Sequence, residues 1–212
     1  MYVLHWEYMA GSIVVQALLQ DADVAFEARY VDMGSGEHKK PDYQSINPTG
    51  RVPALTLPNA KTIGETGAIV TYLCETYPDA GLSPRPGDAD RPEFLFWLNV
   101  MTSTGYPTVV RWNHPERYVR SDAAIAEVEQ QGLADLNSFF DLMETGISGQ
   151  NSFLESGLSA LDYYLSMLTE WYPDREMLFS KNPKIAAVYT SASNCPAYKQ
   201  SMNRHALPKA AA

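Results

Sequence analysis

Cysteine is scarce in this sequence of 212 residues, which contains only Cys74 and Cys195. The two lie far apart, and neither a CxxC pair nor a spacing typical of zinc sites is present. The pattern argues against structural disulfides, and no metal site is predicted. Such cysteine use is typical of a reduced, cytoplasmic protein.

Long apolar runs and an excess of basic residues are also lacking. No stretch approaches the roughly 20 apolar residues that a membrane-spanning helix requires. The N-terminus has no basic segment followed by a long apolar one, as a signal peptide has. Lysine and arginine number 16 against 25 acidic residues, which gives a formal net charge of −9. We therefore expect neither a membrane nor a nucleic acid as a partner.

The composition is that of an ordinary globular protein, with 45% hydrophobic and 19% charged residues. In the N-terminal part, the apolar run 2–6 and the segment 24–31 are predicted strands. Between them, the apolar residues after Ser12 repeat at helical spacing. Two strands that flank one helix predict a parallel βαβ unit. The runs 53–57 and 61–63 predict a hairpin, and residues 65–77 a further helix.

A linker is predicted over 78–92, which holds four prolines, two glycines and three aspartates in 15 residues. Only helices are predicted beyond it, and Gly105 and Pro107 should bend the first of them. Ser159 with Asp162 resembles a capping box at the start of another helix. We therefore divide the chain into domains at 1–80 and 91–212, with the linker at 81–90.

The stretch Asn47-Pro48-Thr49-Gly50-Arg51-Val52-Pro53-Ala54-Leu55 predicts a turn that feeds a short buried strand. Pro53 forces Val52 out of the helical region, and the bond between them is a candidate for the cis form. The Val52 N–H and C=O would then face outward and pair with an extended peptide. One hairpin later, Glu65 and Thr66 stand where a helix begins, and a helix N-terminus favours an anionic group. Together the two pieces predict a docking surface for a small extended peptide with a carboxylate.

At these residues the chain resembles the cytosolic glutathione transferases, because it contains the motifs N-P-x-G-R-V-P-A-L and E-T-G-A-I. The family's S/T-x-x-D cap matches Ser159 and Asp162, and the resemblance covers nearly the whole chain. It is similar to bacterial, serine-type members, near the beta and theta classes. The resemblance implies an α/β thioredoxin-like N-terminal domain plus an all-α C-terminal domain. It also implies glutathione as co-substrate, no metal, and a homodimer in the cytoplasm.

The resemblance implies that Ser12 is the catalytic residue. Free thiols ionise near pH 8.5, and a hydroxyl at a helix N-terminus favours the reactive thiolate. The alternative is that Ser12 only caps the helix. Gly11 stands where many bacterial members have cysteine, which excludes a mixed disulfide at that position. Tyr8 is the rival partner for sulfur, although His5 matches the tyrosine of other classes better.

The resemblance also assigns the rest of glutathione. Glu65 pairs with the γ-glutamyl ammonium and Thr66 with its carboxylate, unless Glu65 is simply an acid that favours the helix dipole. The main chain of Val52, fixed by Pro53, holds the cysteinyl part. The glycyl carboxylate needs a cation; Lys39 is best placed, and the other candidates are Lys40, Arg51 and His38. A solvated lysine in a polar loop is the alternative for Lys39.

Tyr106, Arg111 and Trp112 lie in the bent helix that walls the second substrate pocket in the family, and Tyr8 is expected to line it as well. Core packing is the alternative for these aromatic residues. The predicted activity is a detoxifying conjugation of glutathione to a small hydrophobic electrophile, aromatic or halogenated. A glutathione-dependent isomerase and a non-catalytic glutathione-binding protein are the alternatives.

Overall fold

The computed structural model describes residues 1–206, and it divides into two compact units. One unit is Met1–Ser83 with the described part of Ser193–Ala212, and the other is Pro84–Ala192. The boundary near residue 84 falls inside the predicted linker. The end of the predicted helical domain, in contrast, groups with the N-terminal unit. The last six residues of that predicted domain lie outside the described part of the chain.

The first unit contains a mixed four-stranded sheet with the order β2-β1-β3-β4. Its strands are β1 (Tyr2–Trp6), β2 (Phe26–Tyr30), β3 (Ala54–Thr56) and β4 (Thr62–Gly64). Strand β2 pairs parallel to β1, whereas β3 pairs antiparallel to both β1 and β4. The predicted βαβ unit and hairpin are therefore confirmed, although β2 and β3 are shorter than predicted and β4 is shifted by one residue.

Three helices accompany the sheet: α1 (Ser12–Asp21), α2 (Pro41–Ile46) and α3 (Thr66–Thr76). Every side chain of α1 from Ser12 to Leu19 is buried. This follows from its sequence, because a helix that is apolar on nearly all sides is stable only when it is enclosed. The arrangement is the thioredoxin-like half of the predicted fold.

The second unit is mostly helical, as predicted. Its helices are α4 (Arg91–Val100), α5 (Tyr106–Asn113), α6 (Ile125–Gly146), α7 (Ala160–Glu170), α8 (Arg175–Lys181) and α9 (Pro183–Asn194), which runs just past its end. The predicted bend near Gly105 takes the form of a π-helical segment, Met101–Gly105, between α4 and α5. Helix α8 is absent from the sequence-based prediction.

The predicted capping box at the start of α7 is confirmed. The Ser159 hydroxyl accepts a hydrogen bond from the Leu161 N–H at 3.2 Å, and the Ser159 N–H donates to Asp162 Oδ2 at 2.8 Å. The Phe153 N–H donates to the other oxygen of Asp162, also at 2.8 Å. Asp162 is completely buried. Its two hydrogen bonds join the preceding loop to the first turn of α7.

The last helix, α10 (Pro196–His205), packs along α1 in the first unit. The buried Ser201 hydroxyl donates a hydrogen bond of 2.7 Å to the Ile13 carbonyl oxygen. This packing explains why the C-terminal residues group with the N-terminal sheet. No helix within residues 1–206 combines the length and apolar character needed to cross a membrane.

Candidate functional site

The loop between β1 and α1 is organised by Glu7. Its carboxylate accepts hydrogen bonds from the Tyr8 N–H at 2.6 Å and the Met33 N–H at 2.9 Å. Its carbonyl oxygen accepts from the Ser12 hydroxyl at 3.3 Å. One residue therefore fixes both ends of the loop and joins it to the segment that follows β2.

Ser12 lies in the first turn of α1, as predicted, but Gly11 holds the N-cap position. The Ser12 side chain has no exposed surface. Besides Glu7, its hydroxyl lies 3.5 Å from Nδ1 of His205 at the end of α10. The hydroxyl is thus enclosed and has partners within the protein. This enclosure argues against the predicted contact between the Ser12 hydroxyl and the sulfur of glutathione.

The two alternatives to Ser12 differ sharply in environment. Tyr8 is only half-buried, and its ring lies edge-on to Trp6, with ring centres 5.1 Å apart. Within residues 1–206 the Tyr8 hydroxyl makes no hydrogen bond. His5 is 2% exposed, its Nε2 lies 3.0 Å from the Thr56 hydroxyl, and burial lowers its pKa to about 4. Tyr8 therefore has an available hydroxyl, whereas His5 belongs to the core.

The peptide bond between Val52 and Pro53 is cis, as the sequence suggested. The Val52 side chain packs against the buried cluster of Val31 and Tyr43. Among the described residues, neither the N–H nor the C=O of Val52 has a hydrogen-bond partner. Since buried main-chain groups are nearly always paired, this donor and acceptor mark a place where another chain can bind.

The turn before Val52 is held by two residues that sequence reasoning missed. The Arg51 carbonyl accepts hydrogen bonds from the Tyr43 hydroxyl at 2.7 Å and from Asn47 Nδ2 at 2.8 Å. Asn47 Oδ1 accepts in turn from the N–H of Thr49 at 3.2 Å. This is an Asx turn, for which asparagine at the start of the motif was an available signal.

Helix α3 begins at Thr66, and its N-cap is Glu65. Glu65 has φ 61° and ψ 115°, a conformation that residues with a side chain rarely adopt. The first-turn N–H groups of Thr66, Gly67 and Ala68 have no partner within residues 1–206, and neither do the side chains of Glu65 and Thr66. This helix end therefore offers donors to an anion and an exposed carboxylate to a cation.

The predicted cations lie on two segments that touch. Lys39 ends a short 3-10 turn, and both it and Arg51 are exposed and make no ion pair among the described residues. A Cβ atom at Gly50, where φ is 60°, would stand 3.1 Å from the His38 carbonyl oxygen. Glycine thus permits a close approach that brings the loop with Lys39 against the turn with Arg51.

The three pocket residues predicted in the second unit make packing contacts there. Tyr106 begins α5 and lies edge-on to Trp171, with ring centres 5.2 Å apart. Arg111 forms a salt bridge of 2.6 Å with Asp135 of α6. Trp112 backs onto Gly132, where a Cβ atom would stand 2.9 Å from the tryptophan Cα. Their role in a substrate pocket stays a prediction.

Comparisons with known proteins agree with the motifs. Residues 12–76 match the family model for the glutathione S-transferase N-terminal domain. Along most of its length the chain is 28% identical to glutathione S-transferase PARB of Nicotiana tabacum, with 90% of this chain and 91% of that protein covered. It is 24% identical to the GST-like protein YncG of Escherichia coli, with 93% and 95% covered. Over nearly its whole length, the chain is similar to glutathione S-transferases.

Solved structures of glutathione transferases share the fold. One from Methylococcus capsulatus superposes with a TM-score of 0.81 at 28% identity and covers 97% of this chain and 98% of its own. A homologue from Sulfitobacter with bound glutathione reaches 0.87 at 24% identity, with 98% and 99% covered. The predicted fold class, a thioredoxin-like domain followed by helices, is therefore confirmed.

Other residues of the transferase fold around the site were missed by sequence reasoning. Glu7 and His205 both hold the β1–α1 loop, yet neither belongs to a local motif. His205 contacts Glu7 across 198 positions of the chain. Within residues 1–206, no three His, Cys, Asp or Glu side chains are grouped as a metal site requires.

Proposed function

We propose that this chain is a glutathione transferase that joins the sulfur of glutathione to a small hydrophobic electrophile, aromatic or halogenated. Its similarity to glutathione S-transferases supports the reaction, and its low cysteine content supports a cytoplasmic location. By family likeness we further propose that it acts as a homodimer. The electrophile class rests on the residues predicted for the second substrate pocket, Tyr8, Tyr106, Arg111 and Trp112, of which three are aromatic.

The observation that carries the proposal is the unpaired main chain of Val52 in the same unit as the open N-terminus of α3. An extended tripeptide pairs with such a donor and acceptor as an added strand does. Its γ-glutamyl carboxylate then accepts from the first turn of α3 and the Thr66 hydroxyl, and its ammonium pairs with Glu65. The glycyl carboxylate pairs with the cationic side chain of Lys39 or Arg51. Pro53 fixes the backbone conformation just before β3.

The chemistry then takes place at the β1–α1 loop. Thiolate sulfur attacks an electrophilic carbon, a sulfur–carbon bond forms, and a halide or other leaving group departs with the bonding pair. Ser12 is the proposed thiolate-stabilising hydroxyl. Tyr8 is the alternative, which the enclosure of Ser12 and the unpaired tyrosine hydroxyl favour.

Binding is tested by calorimetry with glutathione. We expect the wild type to bind, and Thr66→Val to weaken binding about 10-fold, since a hydrogen bond to a charged group contributes about 1.5–3 kcal/mol. Thr71→Val is the matched control, because its hydroxyl bonds the Gly67 carbonyl on the same helix at 2.9 Å. Absence of any binding at millimolar glutathione would overturn the proposed function.

The choice between the two hydroxyls is tested with Ser12→Ala and Tyr8→Phe on a small aryl halide. Removal of the hydroxyl that holds sulfur should lower kcat/KM about 100-fold and shift its pH midpoint toward the pKa of the free thiol. The other variant should keep the wild-type profile. A conjugate formed with net loss of glutathione identifies transfer rather than isomerisation, whereas binding without turnover identifies a binding protein.

A further inference from the structure

The last turn of α10 meets the loop that precedes α1. The Met9 N–H donates a hydrogen bond of 3.2 Å to the His205 carbonyl oxygen. Nδ1 of the His205 side chain lies 3.1 Å from the Glu7 carbonyl oxygen and 3.5 Å from the Ser12 hydroxyl. One residue from the far end of the chain thus contacts the loop through both its main chain and its side chain.

The chemistry of these contacts fixes the state of the imidazole. His205 has no exposed surface, and its ring lies edge-on to Trp6 with centres 5.0 Å apart. Burial lowers its pKa to about 4, so the ring is neutral at neutral pH. A carbonyl oxygen can only accept, and the proton therefore sits on Nδ1 and is donated to Glu7. Within residues 1–206, Nε2 has no hydrogen-bond partner.

The packing of α10 on α1 does not account for the hydrogen bonds of His205. Ser201, one turn earlier, already bonds α10 to Ile13 in α1. His205 bonds instead to the loop, where Met9 has φ 45°, in the left-handed region. A residue with a side chain is held in that region only where its surroundings impose it. The Met9 N–H bond to His205 is such a constraint.

We propose that His205 is a positioning residue that holds the loop of residues 7–12 in place and thereby sets where the sulfur of glutathione rests. The inference rests on the proposed function for its second half, since the loop carries both candidate hydroxyls. The first half, the anchoring of the loop, stands independently of any ligand.

The anchoring is tested by hydrogen exchange of residues 7–13 in the full chain without ligand. His205→Phe keeps an aromatic ring against Trp6 but loses the donor, and we expect exchange at Met9 to rise at least 10-fold. His205→Asn places an amide donor near the former Nδ1 and should stay close to wild type. His205→Gln places its amide near the former Nε2 and should behave like the phenylalanine variant, which covers a failure of that variant to fold.

The matched control is Ser201→Ala, which removes the hydrogen bond from α10 to Ile13 in α1 and leaves the hydrogen bonds of His205 to the loop in place. Ser201→Ala should leave hydrogen exchange in the loop at the wild-type rate, whatever its effect on exchange in α1. Equal effects of Ser201→Ala and His205→Phe on the loop would overturn the anchoring, as would wild-type exchange in both His205→Phe and His205→Gln.

The functional half is tested by conjugation kinetics on the same variants. Loss of the donor should lower kcat about 10-fold and raise the pH midpoint of kcat/KM, with the KM for glutathione nearly unchanged, because Val52 and α3 are untouched. His205→Asn should rescue both values. Faster loop exchange with unaltered kcat and pH midpoint would overturn the positioning of sulfur. A wild type that does not bind glutathione overturns the proposed function and the sulfur position together, and the exchange data still decide the anchoring.

Discussion

Glu65 combines a strained backbone with an exposed acidic side chain. Its φ of 61° at the N-cap of α3 costs of order 1–3 kcal/mol for a residue with a side chain. The carboxylate is exposed and has no partner among residues 1–206, so folding alone gives no reason for it. The strained residue places an exposed acid at the N-terminus of α3, where we propose that the ammonium of glutathione binds.

We therefore predict opposite effects of one substitution on stability and affinity. Glu65→Gly should raise the free energy of unfolding by about 1 kcal/mol, because glycine adopts this conformation without strain. The greater backbone entropy of glycine in the unfolded chain offsets only part of that gain. It should also weaken glutathione binding at least 10-fold. Chemical denaturation and calorimetry measure the two quantities.

Glu65→Ala is the control, since alanine keeps the strain but lacks the acid. It should bind as weakly as the glycine variant without gaining stability. A stabilised glycine variant that retained full affinity would show that the carboxylate has no part in binding.

Asn47 holds the turn before Val52, where we propose that glutathione binds. Its amide donates to the Arg51 carbonyl and accepts from Thr49, so Asn47→Ala breaks the turn on both sides. We expect a loss of about 2 kcal/mol in stability and weaker glutathione binding, because Val52 follows directly. Tyr43→Phe removes a single donor from the same carbonyl and should have a smaller effect in both assays. Equal losses in the two variants would contradict a special role for the Asx turn.

Residues in local motifs could be predicted from the sequence, whereas their long-range supports could not. The Val52-Pro53 bond and the start of α3 at Thr66 follow from adjacent residues, because proline and helix ends act on their neighbours. His205 reaches Glu7 across 198 positions, and nothing near it in the sequence indicates that partner. The enclosure of Ser12 was hidden for the same reason.

At the scale of elements, the cap of α7 sets a pH dependence. Burial raises the pKa of Asp162 to about 6, although its hydrogen bonds from Ser159 and Phe153 oppose the shift. A carboxyl group whose pKa is raised on folding stabilises the fold at low pH. That contribution is lost as the pH rises from its ordinary value of 3.8 through 6.

Asp162→Asn should remove this dependence. Between pH 7 and pH 5 the wild type should gain about 1 kcal/mol of stability relative to the variant, since each pKa unit corresponds to about 1.4 kcal/mol. The variant should also be less stable at both values, because an amide cannot accept from both the Ser159 and Phe153 N–H groups. Urea denaturation at the two pH values measures the difference. A constant difference between wild type and variant would show that Asp162 does not titrate in this range.

The elements that were predicted are those with a clear period or cap. Ser159 with Asp162 located α7 correctly, and the hairpin at β3 and β4 follows from its turn residues. Helix α8 was missed because seven residues give too short a repeat to recognise, although Asp174 caps it through the Met177 N–H at 2.9 Å. The bend near Gly105 was predicted, but its π-helical form was not. A Cβ atom at Gly105 would clash with the ring of Phe139, a contact that the local sequence does not indicate.

At the scale of the molecule, the main feature is that α10 packs on α1 in the N-terminal unit. Composition predicts a linker over 78–92, and the division between the two units near residue 84 falls within that range. It does not reveal that α10 leaves the helical part and packs on α1, since that depends on contacts such as Ser201 with Ile13. The thioredoxin-like unit is therefore built from both ends of the sequence.

This arrangement predicts that residues 1–83 need α10 in order to fold stably. A chain shortened after residue 192 exposes one side of α1, a helix whose residues 12–19 are all buried in the full structure. Hydrogen exchange should then show strong loss of protection in β1 and α1. A synthetic peptide of residues 193–206, added in excess, should restore part of it, because this segment contains α10, which packs along α1. Undiminished protection in the shortened chain would mean that the sheet and α1 to α3 form a stable unit by themselves, and that α10 merely rests on it.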